Sequence, residues 1–190
     1  MTWDPYLDLG SGVLRNLLGI TDPDELRRAE ATLSASRIYD LHRTPLPGAY
    51  DLAHLQAFHR HIFGDVYDWA GELRTVAIGR GTAFCRPEHI AGDAGELFGW
   101  LARTGHLRGL PRDGIVDGLT ELLSDLNALH PFREGNGRAQ RAFVAQLART
   151  AGHPLRWAGM DAAENVAASR AAHDGDIGPL RALLDKLIAP

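Results

Sequence analysis

A polar loop set between two apolar helical patterns constrains the fold of this chain more than any other feature. Residues 130–141 read His-Pro-Phe-Arg-Glu-Gly-Asn-Gly-Arg-Ala-Gln-Arg. The apolar residues before this loop recur at helical spacing, at Ile115, Leu119, Leu122, Leu123, Leu126 and Leu129. A second helical pattern follows it through Phe143, Val144 and Leu147. The segment therefore predicts a helix–loop–helix unit that concentrates polar side chains at the loop.

The first half of the loop offers a base, an anchor and a metal ligand. His130 titrates near neutrality and can accept a proton from a hydroxyl group. Pro131 ends the preceding helix, because a proline disfavours helical geometry in the residue before it. Phe132 is apolar between polar neighbours, which predicts a buried anchor. Glu134 is a hard oxygen ligand suited to a Mg²⁺ ion that bridges phosphates.

The second half of the loop predicts an anion site. Gly135 and Gly137 allow positive φ around Asn136, and such a backbone can turn successive N–H groups inward. The next helix directs its N-terminus at the same place, where its dipole favours an anion. Arg138 and Arg141 are three residues apart, so they share a helix face and can fork onto phosphate oxygens.

Taken singly, each of these features is more often structural than functional. A His-Pro pair commonly ends a helix, Gly-Asn-Gly commonly makes a turn, and lone arginines or carboxylates commonly face solvent. The ordered combination is what favours a functional site.

The loop resembles the signature of the Fic family, His-x-Phe-x-(Asp/Glu)-Gly-Asn-Gly-Arg-x-x-Arg, with no departure at any fixed position. Residues 67–76, Tyr-Asp-Trp-Ala-Gly-Glu-Leu-Arg-Thr-Val, resemble the stretch that leads into the active-site flap of that family. Residues 6–19 and 175–180 are also similar to Fic toxins. The resemblance implies a Fic-like helical bundle with a β-hairpin flap over the active site.

Residues 73–84 differ in character from the helical patterns around them. Val76, Ala77 and Ile78, a Gly-Arg-Gly turn and a second run ending at Phe84 predict two short strands. One interpretation is an ordinary hairpin packed on helices. The resemblance implies instead a flap whose edge pairs with an extended segment of a target protein, and which selects the hydroxyl that reaches His130.

The remaining pattern predicts one all-α domain over residues 1–190. Asp22 before Pro23 and Asp51 before Leu52 are helix N-caps, and a short helix is predicted from residue 13 to 18. Two further histidines, His59 and His61, are expected to pack or to lie at the surface.

Charge and cysteine content limit the function classes. The net charge of −4 argues against direct nucleic-acid binding, whereas Arg133, Arg138 and Arg141 form a local basic spot that suits a small polyanion. The single cysteine, Cys85, excludes an intrachain disulfide. The sequence shows neither a signal peptide nor an apolar run of membrane-spanning length, so a cytoplasmic protein is expected.

The resemblance implies a Mg²⁺-dependent protein adenylyltransferase that moves AMP from ATP to a Ser, Thr or Tyr hydroxyl of a target protein. His130 would be the base and Glu134 the metal ligand. The loop backbone and both arginines would hold the ATP phosphates, with Arg138 at the β/γ end and Arg141 beside it. Phe132 would anchor the loop.

Two alternatives remain. A Doc-like kinase, or another nucleotidyl transferase on this scaffold, would perform a different transfer; Doc proteins, however, lack the Gly-Asn-Gly-Arg arrangement. A non-catalytic module could bind proteins through the hairpin edge, although the intact His130 and Glu134 argue against it.

Many Fic proteins are inhibited by a helix bearing (Ser/Thr)-x-x-x-Glu-(Gly/Asn), whose Glu pairs with the last arginine of the signature, here Arg141. Outside the loop itself, only Glu164 precedes Gly or Asn, and Met160 stands where Ser or Thr is required. Glu164 is therefore interpreted as a surface carboxylate. The expectation is a toxin with a separate small helical antitoxin that carries this sequence. The resemblance suggests ATPase subunits of type II topoisomerases as targets, although no residue here indicates them.

Overall fold

Helices make up nearly all of the regular structure. The computed structural model describes residues 4–80 and 82–188. Within these ranges lie seven α-helices: α1 (Pro23–Arg43), α2 (Leu52–Phe63), α3 (Ile90–Arg103), α4 (Arg112–Leu129), α5 (Asn136–Thr150), α6 (Ala162–His173) and α7 (Gly178–Leu187). Two short strands, β1 (Gly79–Arg80) and β2 (Thr82–Ala83), pair antiparallel. The predicted all-α class is confirmed.

Local capping signals set the starts of the early helices. The Asp22 carboxylate accepts a hydrogen bond of 2.7 Å from the N–H of Glu25, and Pro23 occupies the first turn of α1. The Asp51 carboxylate accepts one of 2.8 Å from the N–H of His54 at the start of α2. A cap of this kind stabilises a helix by about 1 kcal/mol, and both predicted N-termini are confirmed.

The core forms around α4 and α5, the helices on either side of the polar loop. α4 packs against α3, α5, α6 and α7, while α5 also packs against α2. The buried apolar residues of α4 are Ile115, Val116, Leu119, Leu122, Leu123, Leu126 and Leu129. Because α4 and α5 are buried from several sides, the loop between them is held at a defined place in the fold.

One glycine of α4 permits close packing. Relative to alanine, a glycine inside a helix costs about 1 kcal/mol, so Gly118 weakens α4 locally. A Cβ atom at this position would lie 2.6 Å from Cδ2 of Leu107. Leu107 is buried against the helix at Gly118, and a larger residue would displace it.

The predicted β-hairpin is not confirmed. Val76, Ala77 and Ile78 form no strand, and the ladder consists of the pairs Gly79–Ala83 and Arg80–Thr82. The carbonyl groups at the base of the segment, those of Val76 and Cys85, accept hydrogen bonds from the buried side chain of Arg74 instead of pairing across a ladder. We refer to residues 76–85 as the flap segment.

The helix predicted from residue 13 to 18 is absent from the structure. Leu14 instead forms an isolated antiparallel bridge with Leu7. The Asn16 side chain binds the carbonyl groups of Leu14 and Ile20 and accepts the N–H of Ile20. An asparagine that competes for backbone groups in this way favours a turn over a helix.

None of the helices in residues 4–80 and 82–188 combines the length and the apolar character needed to cross a membrane.

Candidate active site

His130 ends α4 in the left-handed region, with φ 43° and ψ 60°. This conformation is uncommon for a non-glycine residue, and it turns the side chain away from the helix axis. The Nδ1 atom lies 3.3 Å from the Asn127 carbonyl oxygen. A proton on Nδ1 would point to that oxygen, which makes Nε2 the basic nitrogen. The ring stacks on Phe84 of the flap segment, with 3.8 Å between centroids and 9° between planes.

The loop after His130 is closed by one side chain. The Asn136 Oδ1 atom accepts the N–H of Phe132 at 2.9 Å, and its Nδ2 group donates to the carbonyl of the same residue at 2.7 Å. Asn136 is buried. Phe132 is fully buried, as predicted, and stacks on His59 with 3.9 Å between centroids. The side chain of Asn136 is thus structural, and only its N–H group remains for an anion.

The two glycines of the loop have different conformations. Gly135 has φ 76°, and a Cβ atom there would lie 2.4 Å from the Phe63 ring, so only glycine fits. Gly137 lies in the first turn of α5 without positive φ. The freedom for positive φ that both glycines allow is therefore used at Gly135 and not at Gly137, because helix α5 already begins at Asn136.

The amide groups at the start of α5 provide only part of the predicted anion site. The N–H of Gly135 donates to the Glu134 carboxylate at 2.9 Å, so that group is engaged. In residues 4–80 and 82–188, the N–H groups of Asn136 and Gly137 have no acceptor, as expected in the first turn of a helix. Two backbone donors and the positive end of the α5 dipole therefore remain for an anion.

Glu134 can hold a metal ion only together with a ligand. Its side chain is 38% exposed, lines the central cavity and lies 3.8 Å from Nη2 of Arg138. No group of three or more His, Cys, Asp or Glu side chains suited to a metal occurs in the described residues. A Mg²⁺ ion on Glu134 would take its other ligands from phosphates and water, which is the usual habit of this ion. The donor set fits Mg²⁺.

The two signature arginines have unlike surroundings. Arg138 forms an ion pair with Glu30 of α1 and donates to Ser34 at 3.0 Å. Its guanidinium carbon lies 4.7 Å from the Phe63 ring centroid. The other oxygen of Glu30 accepts the hydroxyl of Tyr67. Burial, and then this hydrogen bond, raise the pKa of Tyr67, so it stays a neutral donor.

Arg141 carries no such counter-ion. Among the described residues it forms no ion pair, whereas Arg133 is paired with Asp4 and Arg138 with Glu30. Burial, and then the charge of Arg138, lower the pKa of Arg141. Arg141 is thus the signature arginine whose charge an incoming anion would neutralise.

These groups converge on a cavity of about 1020 Å³. Its walls come from the loop, the flap segment and α6, with Ala77, Ile78, Phe84, His130, Glu134, Arg141, Asn165, Ser169, Arg170 and His173 among the lining residues. Of the residues expected to dock a target, Val76 does not line the cavity, and its carbonyl accepts a hydrogen bond from Arg74.

Sequence reasoning missed the role of His59. The ring is fully buried; its Nδ1 accepts the N–H of Gly71 at 2.8 Å, and its Nε2–H donates to the Glu134 carbonyl at 2.9 Å. Burial lowers the pKa of His59 to about 4, so the ring is neutral. Its place on the apolar stripe of α2, beside Leu55 and Ile62, was the available signal.

This chain is similar to a known protein family and to several known proteins. The model of the Fic/DOC family matches residues 49–148. The chain is 41% identical over 182 residues to the protein adenylyltransferase VbhT of Bartonella schoenbuchensis. The matched region covers 95% of this chain but only 38% of VbhT. The chain is 40% identical over 188 residues to the probable protein adenylyltransferase y4lH of Sinorhizobium fredii, covering 97% of this chain and 96% of that protein.

Two solved structures have the same fold as this chain. BepC of Bartonella tribocorum with bound AMPPNP has a TM-score of 0.91 at 25% identity, covering 97% of this chain and 96% of that chain. The N-terminal Fic domain of a Bartonella quintana effector with bound ADP also has a TM-score of 0.91, at 26% identity, covering 97% and 94%. These structures define a class of helical proteins with the same fold as this chain. The chain belongs to the Fic/DOC family.

Proposed function

We propose that this protein is an adenylyltransferase that moves AMP from ATP to a hydroxyl side chain of another protein. The observation that carries the proposal is the convergence of His130, Glu134, Arg141 and the first amides of α5 on one cavity. The names of its relatives and the nucleotides bound in two similar structures support the same reaction.

In the proposed reaction, the target hydroxyl attacks the α-phosphorus of ATP in line. Nε2 of His130 takes the hydroxyl proton as the new oxygen–phosphorus bond forms. The bond between the α-phosphorus and the bridging oxygen breaks, and pyrophosphate leaves with that oxygen. Only the neutral imidazole can accept the proton.

The phosphate chain would lie over the N-terminus of α5. The N–H groups of Asn136 and Gly137 would donate to it, and Arg141 would neutralise its far end. Arg138, already paired with Glu30, would add less charge than the sequence alone suggests. Glu134 would hold Mg²⁺, which when bound offsets negative charge on the phosphates. The polar face of α6, with Asn165 and Ser169, would border the nucleoside.

We further propose that the flap segment receives the target. Ala77, Ile78 and Phe84 line the cavity beside His130. An extended target segment could pair with this backbone by strand addition, which would explain why the segment forms little ladder of its own.

The decisive test uses ATP labelled at either end of its phosphate chain. The purified chain is incubated with a bacterial lysate and α-labelled or γ-labelled ATP, with and without a metal chelator. We expect α-label on protein, and its loss with the chelator. A γ-labelled protein would indicate a kinase instead, and no protein label with either ATP would indicate a binding module.

We also propose that the chain acts in the cytoplasm as a toxin restrained by a separate small helical antitoxin. Supporting this, Glu164 forms an ion pair with Lys186 at the surface and is not among the cavity residues, so it is no counter-ion for Arg141. The antitoxin Glu would engage Arg141, and type II topoisomerase ATPase subunits are the proposed targets.

Expression in bacteria tests this second proposal. Growth should stop with the chain alone and resume with the antitoxin encoded beside it, or with His130→Ala. An inert wild-type protein that Glu164→Gly activates would show that inhibition is internal.

A further inference from the structure

Arg74 is, among the described residues, the largest fully buried side chain, with 2% of its surface exposed. It forms no ion pair with a carboxylate in residues 4–80 and 82–188. A buried charge without a counter-ion is costly. The hydrogen bonds of Arg74 to backbone carbonyls offset this cost, and they show which parts of the chain the side chain holds together.

One group of contacts joins Arg74 to the end of α4. Its Nε group donates to the His130 carbonyl at 2.8 Å, and Nη2 lies 3.4 Å from the Leu129 carbonyl oxygen. The backbone N–H of Arg74 donates to the Pro131 carbonyl at 2.9 Å. The Leu129 and His130 carbonyls stand at the C-terminal end of α4, where a helix leaves its last carbonyls unpaired, and Pro131 follows directly. Arg74 therefore holds the backbone where His130 turns out of the helix.

A second group of contacts joins the same side chain to the flap segment. Nη1 donates to the Val76 carbonyl at 2.8 Å, and Nη2 donates to the Cys85 carbonyl. Val76 and Cys85 are the two ends of the segment, so both ends are tied to one planar group. The Phe84 ring, next to Cys85, then stacks on the ring of His130.

We propose that Arg74 is a positioning residue that sets the distance between the catalytic base and the target-binding segment. This inference rests on the proposed function. The guanidinium directs its donors along fixed directions in one plane, which suits carbonyls that approach from α4 on one side and from the flap segment on the other. A lysine carries the same charge but has a single nitrogen, so it cannot hold both groups.

The test compares Arg74→Lys and Arg74→Gln with the wild-type chain. ADP titration first gives the fraction of protein molecules that bind ADP. The rate of protein labelling by α-labelled ATP is then divided by that fraction. We expect transfer to fall by about tenfold or more, since small misplacements of reacting groups cost up to roughly a hundredfold. The Kd for ADP should change less than about threefold, because the phosphate-binding groups on α5 are untouched. Equal losses of both would overturn the proposal, as would variants that bind no ADP, since Arg74 would then only support the fold.

Arg37→Lys is the matched control. Arg37 binds Asp65 through two nitrogens, at 2.7 and 2.9 Å, and is not among the residues lining the cavity. It should leave both transfer and ADP binding unchanged.

A second measurement is independent of activity. Proton NMR should show cross-peaks between the rings of Phe84 and His130 in the wild type and their loss in Arg74→Lys. If the cross-peaks persist unchanged, the positioning role is overturned even where transfer is lost. If the wild type transfers no AMP but the cross-peaks behave as expected, the proposed function fails while the positioning of His130 by Arg74 stands.

Discussion

His130 and Asn136 show how single residues divide the work of the loop. His130 contributes a ring to the cavity, while its backbone is held from outside by Arg74. Asn136 contributes an N–H group, while its side chain closes the loop on Phe132. A substitution at the first position should therefore affect chemistry, and a substitution at the second should affect stability.

We expect His130→Ala to lower AMP transfer by about 10²- to 10⁴-fold, the usual contribution of a general base. The fold should persist, because Pro131 ends α4 in either case and Arg74 binds the backbone at residue 130. Labelling by α-labelled ATP and ADP titration are the measurements. His173→Ala is the control, since His173 also lines the cavity and contacts Phe84. It should transfer AMP at least about tenfold faster than His130→Ala; equal rates would contradict the assignment of the base.

Asn136→Ala should lower the free energy of unfolding by about 2–4 kcal/mol, because two hydrogen bonds are lost and the buried backbone groups of Phe132 lose their partner. Urea unfolding measures this change. Asn165→Ala is the matched control, since Asn165 lines the same cavity but makes no side-chain hydrogen bond among the described residues. A change below about 0.5 kcal/mol in Asn136→Ala would mean that the loop closes without this side chain.

At the scale of elements, the flap segment differs most from expectation. Its strands cover two residues each, and its ends are held by a side chain rather than by a ladder. The backbone beside the cavity therefore has hydrogen-bonding groups that an incoming target strand could use. Under the proposed function, this arrangement would separate target binding from nucleotide binding.

Ala77→Pro tests that separation, because proline removes a backbone donor and keeps the preceding residue extended. The N–H of Ala77 has no acceptor in the described part of the chain, so the fold should be unaffected. Target labelling should fall by roughly two- to tenfold, the effect of about one lost backbone hydrogen bond. ADP affinity should stay nearly constant. Ala77→Val keeps the donor and serves as the control, and parallel loss of labelling and ADP binding in Ala77→Pro would assign the segment to the nucleotide.

At the scale of the whole molecule, residues far apart in the chain meet at the loop. His59 of α2 holds the backbone of Glu134, 75 residues away. Glu30 of α1 holds Arg138, 108 residues away. The geometry of the site therefore depends on the packing of α1 and α2 against the loop and α5. Groups buried in that packing should change the free energy of global unfolding.

His59 makes stability depend on pH. The folded chain lowers the pKa of this ring from 6.5 to about 4, so the unfolded chain binds its proton more readily. The contribution to stability is complete above about pH 6.5 and is lost as the pH falls towards 4. At about 1.4 kcal/mol per pH unit, the loss is about 3 kcal/mol.

The free energy of unfolding is measured with urea at several pH values in that range. Its slope against pH should be clearly smaller in His59→Gln than in the wild type. Some slope will remain, since burial also lowers the pKa of His54. His42→Gln, at an exposed histidine, should keep the wild-type slope. An unchanged slope in His59→Gln would contradict the burial argument.

The features that the sequence predicted correctly depend on local interactions. Asp22 and Asp51 cap their helices through groups three residues away, and Phe132 is buried between the two helices that its neighbours predict. The predicted hairpin is not confirmed because two runs about a glycine-rich turn form a longer ladder only when no other group binds the carbonyls beside them. Arg74, which takes them, carries no sign of burial in its own sequence neighbourhood.

By itself, the sequence determined the family, the helices and the set of polar groups in the loop, since these follow from short-range spacing. It could not rank Arg138 against Arg141, which are chemically identical and lie on one helix face. Only the tertiary structure separated them, because it places the carboxylate of Glu30 against Arg138 and leaves Arg141 facing the cavity without a counter-ion among the described residues. Charge compensation depends on distance in space, and the partner here lies more than half the chain away in sequence.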